Sequence, residues 1–177
     1  MIDPVTTRRW SFRALFVGLA AALLFVRLLP LSTLPAQIPG PDLMLCITFA
    51  WVLRRPDFVP ALAIVAVFLI EDMLAMRPPG LWALIVLLGS EFLRDRASAM
   101  RGLPFLAEWA TVTAVMAIML LANRTILALV VVPQTGLGLT LLQFVTTVLA
   151  YPLVVAASHL ALGLRGPSEI DGMGSRA

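Results

Sequence analysis

Apolar residues fall into six runs, at positions 12–29, 42–53, 58–76, 80–93, 105–122 and 137–164. None alternates with the period of a half-buried strand, and the polar sequence between them is short. A helix needs about 20 mostly apolar residues to cross a bilayer. The pattern therefore predicts an all-α membrane protein, a bundle of six transmembrane helices whose second member is short. Positions 53–58 and 76–81 have room only for hairpin turns, which makes the second, third and fourth helices antiparallel neighbours. Proline marks the boundaries. Pro30, Pro35, Pro39 and Pro41 fill the first loop, Pro56 and Pro60 open the third helix, Pro78 and Pro79 the fourth, and Pro104 the fifth. A first helical turn has no use for the N–H that proline lacks. Pro152 lies inside the sixth run, where it is expected to kink the helix or to split it into a span and an interfacial piece. Positions 123–132 fit either an interfacial segment or a longer fifth helix. Positions 1–165 make one membrane domain, and the polar positions 166–177 read as a disordered cytoplasmic tail.

Composition agrees with the pattern. Of 177 residues, 60% are apolar and only 13% charged, with a mean hydropathy of +0.98; soluble domains carry about a quarter charged residues. All 13 basic residues are arginine. The pI near 10.4 suggests a nucleic-acid binder, but the arginines flank the apolar runs, as topology determinants do. With the N-terminus in the cytoplasm, ten arginines (8, 9, 13, 54, 55, 94, 96, 101, 165 and 176) fall on the inner side and three (27, 77 and 124) on the outer. The alternation predicts cytoplasmic N- and C-termini. Thr7 to Phe12 followed by Ala14 to Val26 is similar to a twin-arginine export signal, with Leu34-Pro35-Ala36 as a weak cleavage site. Arg27 and Pro30 interrupt it and more membrane sequence follows, so an uncleaved first helix is expected.

Charge inside a membrane is costly, so the charged positions are the candidate sites. Arg27, Asp42, Glu71, Asp72 and Arg77 all map to the outer ends of the first three helices. Glu71 and Asp72 are adjacent and point about 100° apart; one is expected to face the bundle and the other the interface. Glu91 lies deeper on the fourth helix with Arg94 one turn on, at pairing distance. Glu108 is expected to meet Arg94, Arg96 or Arg101. Two stripes of small residues, Ala14, Gly18 and Ala22 on the first helix and Ala107, Ala110, Ala114 and Ala117 on the fifth, mark helix-packing faces. The neighbour is either internal, the first expectation, or another protein. Cys46 reads as packing. One histidine and one cysteine leave no material for a zinc site or a catalytic triad, and no glycine-rich phosphate loop precedes a basic residue. No enzyme, cofactor or metal is expected. An outward pocket for a small molecule is not expected either, because positions 30–41 and 76–81 contain one arginine and one glutamine.

Pro41-Asp42-Leu43, Trp51, Leu53-Arg54-Arg55-Pro56, Asp72-Met73-Leu74 and Pro79-Gly80-Leu81 resemble, in order and spacing, the rod shape-determining protein MreD family in its alphaproteobacterial form. The chain departs from it at Val67, Phe68 and Leu69, where members often carry a glycine before the third-helix acid. The resemblance implies a multi-pass component of the bacterial inner membrane without enzymatic activity. It would bind the single-span protein MreC and, directly or through it, help regulate RodA and penicillin-binding protein 2, coordinated with MreB. It also implies a bundle similar to the substrate-binding subunits of energy-coupling-factor vitamin transporters. Such a subunit is the alternative reading. Besides these partners, membrane lipids are expected contacts and nucleic acid is not.

Overall fold

A computed structural model describes residues 4–29, 39–100 and 102–162, with side chains from residue 10 to residue 160 within those ranges. The described residues form six helices and no strand: α1 (Pro4–Leu28), α2 (Leu43–Arg54), α3 (Ala61–Leu74), α4 (Leu81–Arg96), α5 (Phe105–Leu129) and α6 (Leu137–Leu162), with a 3-10 turn at Pro56–Phe58. Three stretches are long and apolar enough to cross a membrane: Trp10–Leu28, Phe105–Leu129 and Leu137–Leu160. These mark an all-α membrane protein. The expected cleavage site and cytoplasmic tail lie outside the described residues, as do Arg101, Arg165 and Arg176.

The short α2 is the centre. Nine of its 12 residues are buried, among them Cys46, Phe49, Trp51 and Val52. It packs on α6, α4 and α1, while α3 packs on α4 and α1. The predicted antiparallel packing is therefore found for α3 with α4 but not for α2 with α3, which share at most a marginal contact. The chain between them turns through Pro56–Phe58, and α1 docks against that turn. There Phe12 stacks on Phe58 with ring centroids 4.4 Å apart.

Helix ends follow local chemistry. Pro60 and Pro104 hold extended backbone just before α3 and α5, the conformation proline permits while stopping a helix from starting earlier. Gly80 precedes α4 with φ +90, a left-handed conformation that a side chain would strain. Positions 123–129 extend the fifth helix, and α5 stops only at Leu129.

α6 is one helix of 26 residues with Pro152 inside it; the expected split does not occur. Proline at 152 denies the carbonyl of Val148 its helical N–H. The indole N–H of Trp109 on α5 donates to that carbonyl at 3.0 Å. A neighbouring helix thus satisfies the group that proline frees, as intramembrane prolines require.

Gly89 lies at a close helix approach. A Cβ there would lie 2.7 Å from Sδ of Met119, and 3.4 Å from both Phe49 and Val115, so α2, α4 and α5 meet at its backbone. Gly18 has nothing within 4 Å of the same position. Gly89→Val should destabilise the protein by about 1–3 kcal/mol through overpacking, whereas Gly18→Val should leave stability unchanged. Unfolding midpoints in mild detergent would separate the two; equal midpoints would contradict the packing at Gly89.

Candidate functional site

Polar side chains gather at the two ends of the bundle and the middle is apolar. At the end that holds the Pro56–Phe58 turn, the last turn of α2 presents Arg54 to Glu108 on the first turn of α5. The two form a paired contact, with Nη1 and Nη2 donating to Oε1 and Oε2 at 2.7 and 3.2 Å. Oε1 also accepts from the hydroxyl of Tyr151 on α6, at 2.7 Å. Glu108 therefore does not reach Arg94 or Arg96: α2 ends opposite the start of α5 and Arg54 arrives first. The side chains of Arg54 and Glu108 are only 10% and 20% exposed, so the pair is largely desolvated and depends on being complete. Below it, Trp51 donates its indole N–H to Ser158 at 3.3 Å. Arg94 pairs with Glu91 one turn away on α4 and donates to the carbonyl of Val59 at 2.6 Å. That contact ties α4 to the residues before α3.

At the opposite end, where α3 turns into α4, each acid closes a different junction. Glu71 accepts from Arg27 and joins α3 to α1. Asp72 accepts at Oδ2 from the backbone N–H groups of Gly80 and Ala83, at 3.1 and 3.2 Å. It caps α4 from the preceding helix, where the helix dipole favours a negative charge. Both acids are buried, at 1% and 0% exposure. The expectation that one faces the interface is thus corrected, because α3 is flanked by α1 on one side and α4 on the other. Asp42 caps its own helix, accepting from Leu45 N–H at 3.0 Å, while its own N–H donates to the hydroxyl of Thr147 on α6 at 2.9 Å. The thiol of Cys46 lies 3.4 Å from the carbonyl of Thr147. Arg77 makes no ion pair among the described residues.

A cavity of about 520 Å³ lies at this end. Arg27, Arg77, Arg124, Asp42, Gln134 and Gln143 line its polar part, and Leu45, Trp82, Met116, Leu120 and Phe144 its apolar part. The α5–α6 turn is braced around it. Arg124 donates to the Thr140 hydroxyl at 2.8 Å and the Thr135 carbonyl at 3.3 Å, and Gln134 donates to the carbonyl of Arg124 at 3.0 Å. Reading only the loops at 30–41 and 76–81 missed this cavity, because Arg124, Gln134 and Gln143 come from α5, α6 and the turn between them. Among the described residues, no three His, Cys, Asp or Glu side chains are grouped to hold a metal ion.

The small-residue stripes do not pack inside. Ala14, Gly18 and Ala22 are exposed on α1, while its buried positions are Phe16, Ala20 and Leu24. Two residues correspond to about 200° of helix, so the stripe lies on the opposite side. On α5, Ala110 and Ala114 are exposed and Ala107 and Ala117 half-buried, whereas Val112, Val115, Met116 and Met119 face the core. The first expectation, an internal neighbour, is corrected for the α1 stripe and for Ala110 and Ala114, which look outward. Sequence reasoning also missed Arg54, Trp109, Tyr151 and Ser158. Only Arg54 carried a signal, an arginine immediately after an apolar run. Compared with family models, curated proteins and solved structures, the chain finds no match.

Three substitutions probe these contacts. Glu108→Gln leaves Arg54 desolvated without its counter-charge and should cost roughly 3 kcal/mol; a stability within error of the parent would contradict the buried pair. Asp72→Ala strips the cap from α4 and should cost about 1–2 kcal/mol, with lower yield from membranes. Trp109→Phe should cost about 1 kcal/mol in the parent but nearly nothing in Pro152→Ala, where the helix recovers its own bond. Additive losses in that cycle would show that the indole does not serve the carbonyl freed by proline.

Proposed function

We propose that this protein is a non-enzymatic scaffold of the bacterial inner membrane, an MreD-like component of the cell-wall elongation complex. It crosses the membrane six times with both termini in the cytoplasm, and it offers the outer face of α1 to the single span of MreC. RodA and penicillin-binding protein 2 are engaged directly or through MreC, in coordination with MreB, and membrane lipids surround the rest.

The observation that carries this reading is the outward stripe of Ala14, Gly18 and Ala22, with open space over Gly18. Another helix can approach closely along such a face, which is how spans associate where no hydrophobic force drives them together. The paired end layers support it, because they fix the frame on which that face stands. Six spans accord with the alternation of arginines and with helices that run from one polar layer to the other. At 12, 14 and 16 residues, α2, α3 and α4 extend only about 18–24 Å; a locally thinned bilayer accommodates them. The cavity favours a second reading, a substrate-binding subunit of a small-molecule, vitamin-type transporter.

Pull-down of the tagged protein from its native membrane in mild detergent tests both. The scaffold reading expects a single-span protein with wall-synthesis enzymes, recovered severalfold less well with Gly18→Leu at unchanged membrane insertion. Recovery of an ATPase pair with a coupling subunit would replace it with the transporter reading. In a Cys46→Ser background, Met76→Cys should react with an impermeant thiol reagent from outside the cell and Ser98→Cys only after lysis. The reverse would overturn the orientation.

A further inference from the structure

Around the cavity beside the α3–α4 turn, three guanidiniums (Arg27, Arg77 and Arg124) face two carboxylates, Asp42 and Glu71. Arg27 is committed to Glu71. The acceptors of Arg124 are a hydroxyl and a carbonyl, both neutral. Arg77 makes no direct ion pair among the described residues, although Glu71 lies near enough to attract it, and Asp42, the only carboxylate among the described lining residues, keeps its charge while it caps α2. Arg77 and Arg124 therefore line one cavity without a direct carboxylate contact among the described residues, and the set keeps one positive charge in excess. Next to hydrocarbon such charge is costly, and an anion seated between the two would relieve it through charge-assisted, paired hydrogen bonds.

The remaining lining describes the rest of the ligand. Trp82, Leu120 and Phe144 supply apolar and aromatic surface, and the indole N–H of Trp82 is removed from solvent without an acceptor. A volume of about 520 Å³ lies within the 300–1,000 Å³ typical of small-molecule sites. We propose that this cavity binds an anionic amphiphile, its phosphate or carboxylate head on Arg77 and Arg124 and its apolar body against Trp82 and Phe144. The head belongs either to a free solute or to a lipid, and the chemistry is the same. Such a site serves a scaffold as an effector site as readily as it serves a carrier for its cargo. Its failure would leave the pull-down result untouched.

The test uses the full chain in phosphatidylcholine nanodiscs. Phenyl phosphate is titrated in by calorimetry, and separate nanodiscs containing phosphatidic acid are examined by native mass spectrometry. Saturable phenyl phosphate binding, weakened about tenfold or more in Arg77→Gln/Arg124→Gln and unchanged in Arg96→Gln at the other end of the bundle, supports the site with a free solute as its source. Retention of phosphatidic acid alone, lost in the same double variant, supports it with a lipid as its source. Leu120→Trp, which narrows the cavity and keeps every arginine, should abolish either response, and it serves if the double variant does not fold. Binding of neither probe, or binding undiminished in the variants that fold, overturns the proposal.

Discussion

The carboxylate of Glu108 is shared by three helices. It sits on the first turn of α5, takes both arms of Arg54 at the end of α2, and accepts the hydroxyl of Tyr151 in the middle of α6. In water each of these groups would have a substitute partner. Between helices in a bilayer there is none, so the contact is made completely or the bundle carries a bare charge. The packing of α2 against α6 and of α6 against α5 follows from closing this one knot. The remaining pairs, Trp51 with Ser158 and Trp109 with Val148, lie along the same two seams.

The opposite end is built on different terms. There the acids hold backbone and charge together: Asp72 and Asp42 cap helices, and Glu71 fastens α1. Caps set where a helix begins and at what angle it leaves the turn. The cavity lies at this same end, between α1, the start of α2, the α3–α4 turn, α5 and α6. A frame fixed at both ends leaves its outer surfaces free to meet other molecules, and the small residues of α1 lie on such a surface.

The helical class was legible because runs of apolar residues between prolines admit little else, and the turn positions followed from the same punctuation. Glu91 with Arg94 was legible because both partners sit one turn apart on a single helix. The pairing of Arg54 with Glu108 was not, since they are 54 positions apart and nothing local indicates which of several arginines arrives. The stripes were legible as faces but not in direction, because periodicity gives a face and not the neighbour it meets. Gly89, alone among larger residues, gave no pattern at all, yet α2, α4 and α5 meet at its backbone. Its effect depends on Phe49 and Met119, which only the folded chain brings to it.

The dependence of α2 on α6 has a consequence for how the protein is made. The N–H of Asp42, the indole of Trp51 and, through Glu108, the guanidinium of Arg54 all find their partners on α6 or in contact with it. α6 comes last among the described helices. While the chain emerges from the ribosome, α2 is already synthesised but lacks the groups on α6 that complete it. The first five helices are thus a waiting assembly whose central member is finished only when the sixth arrives. A chain without α6 leaves that centre without the hydroxyls of Thr147, Tyr151 and Ser158.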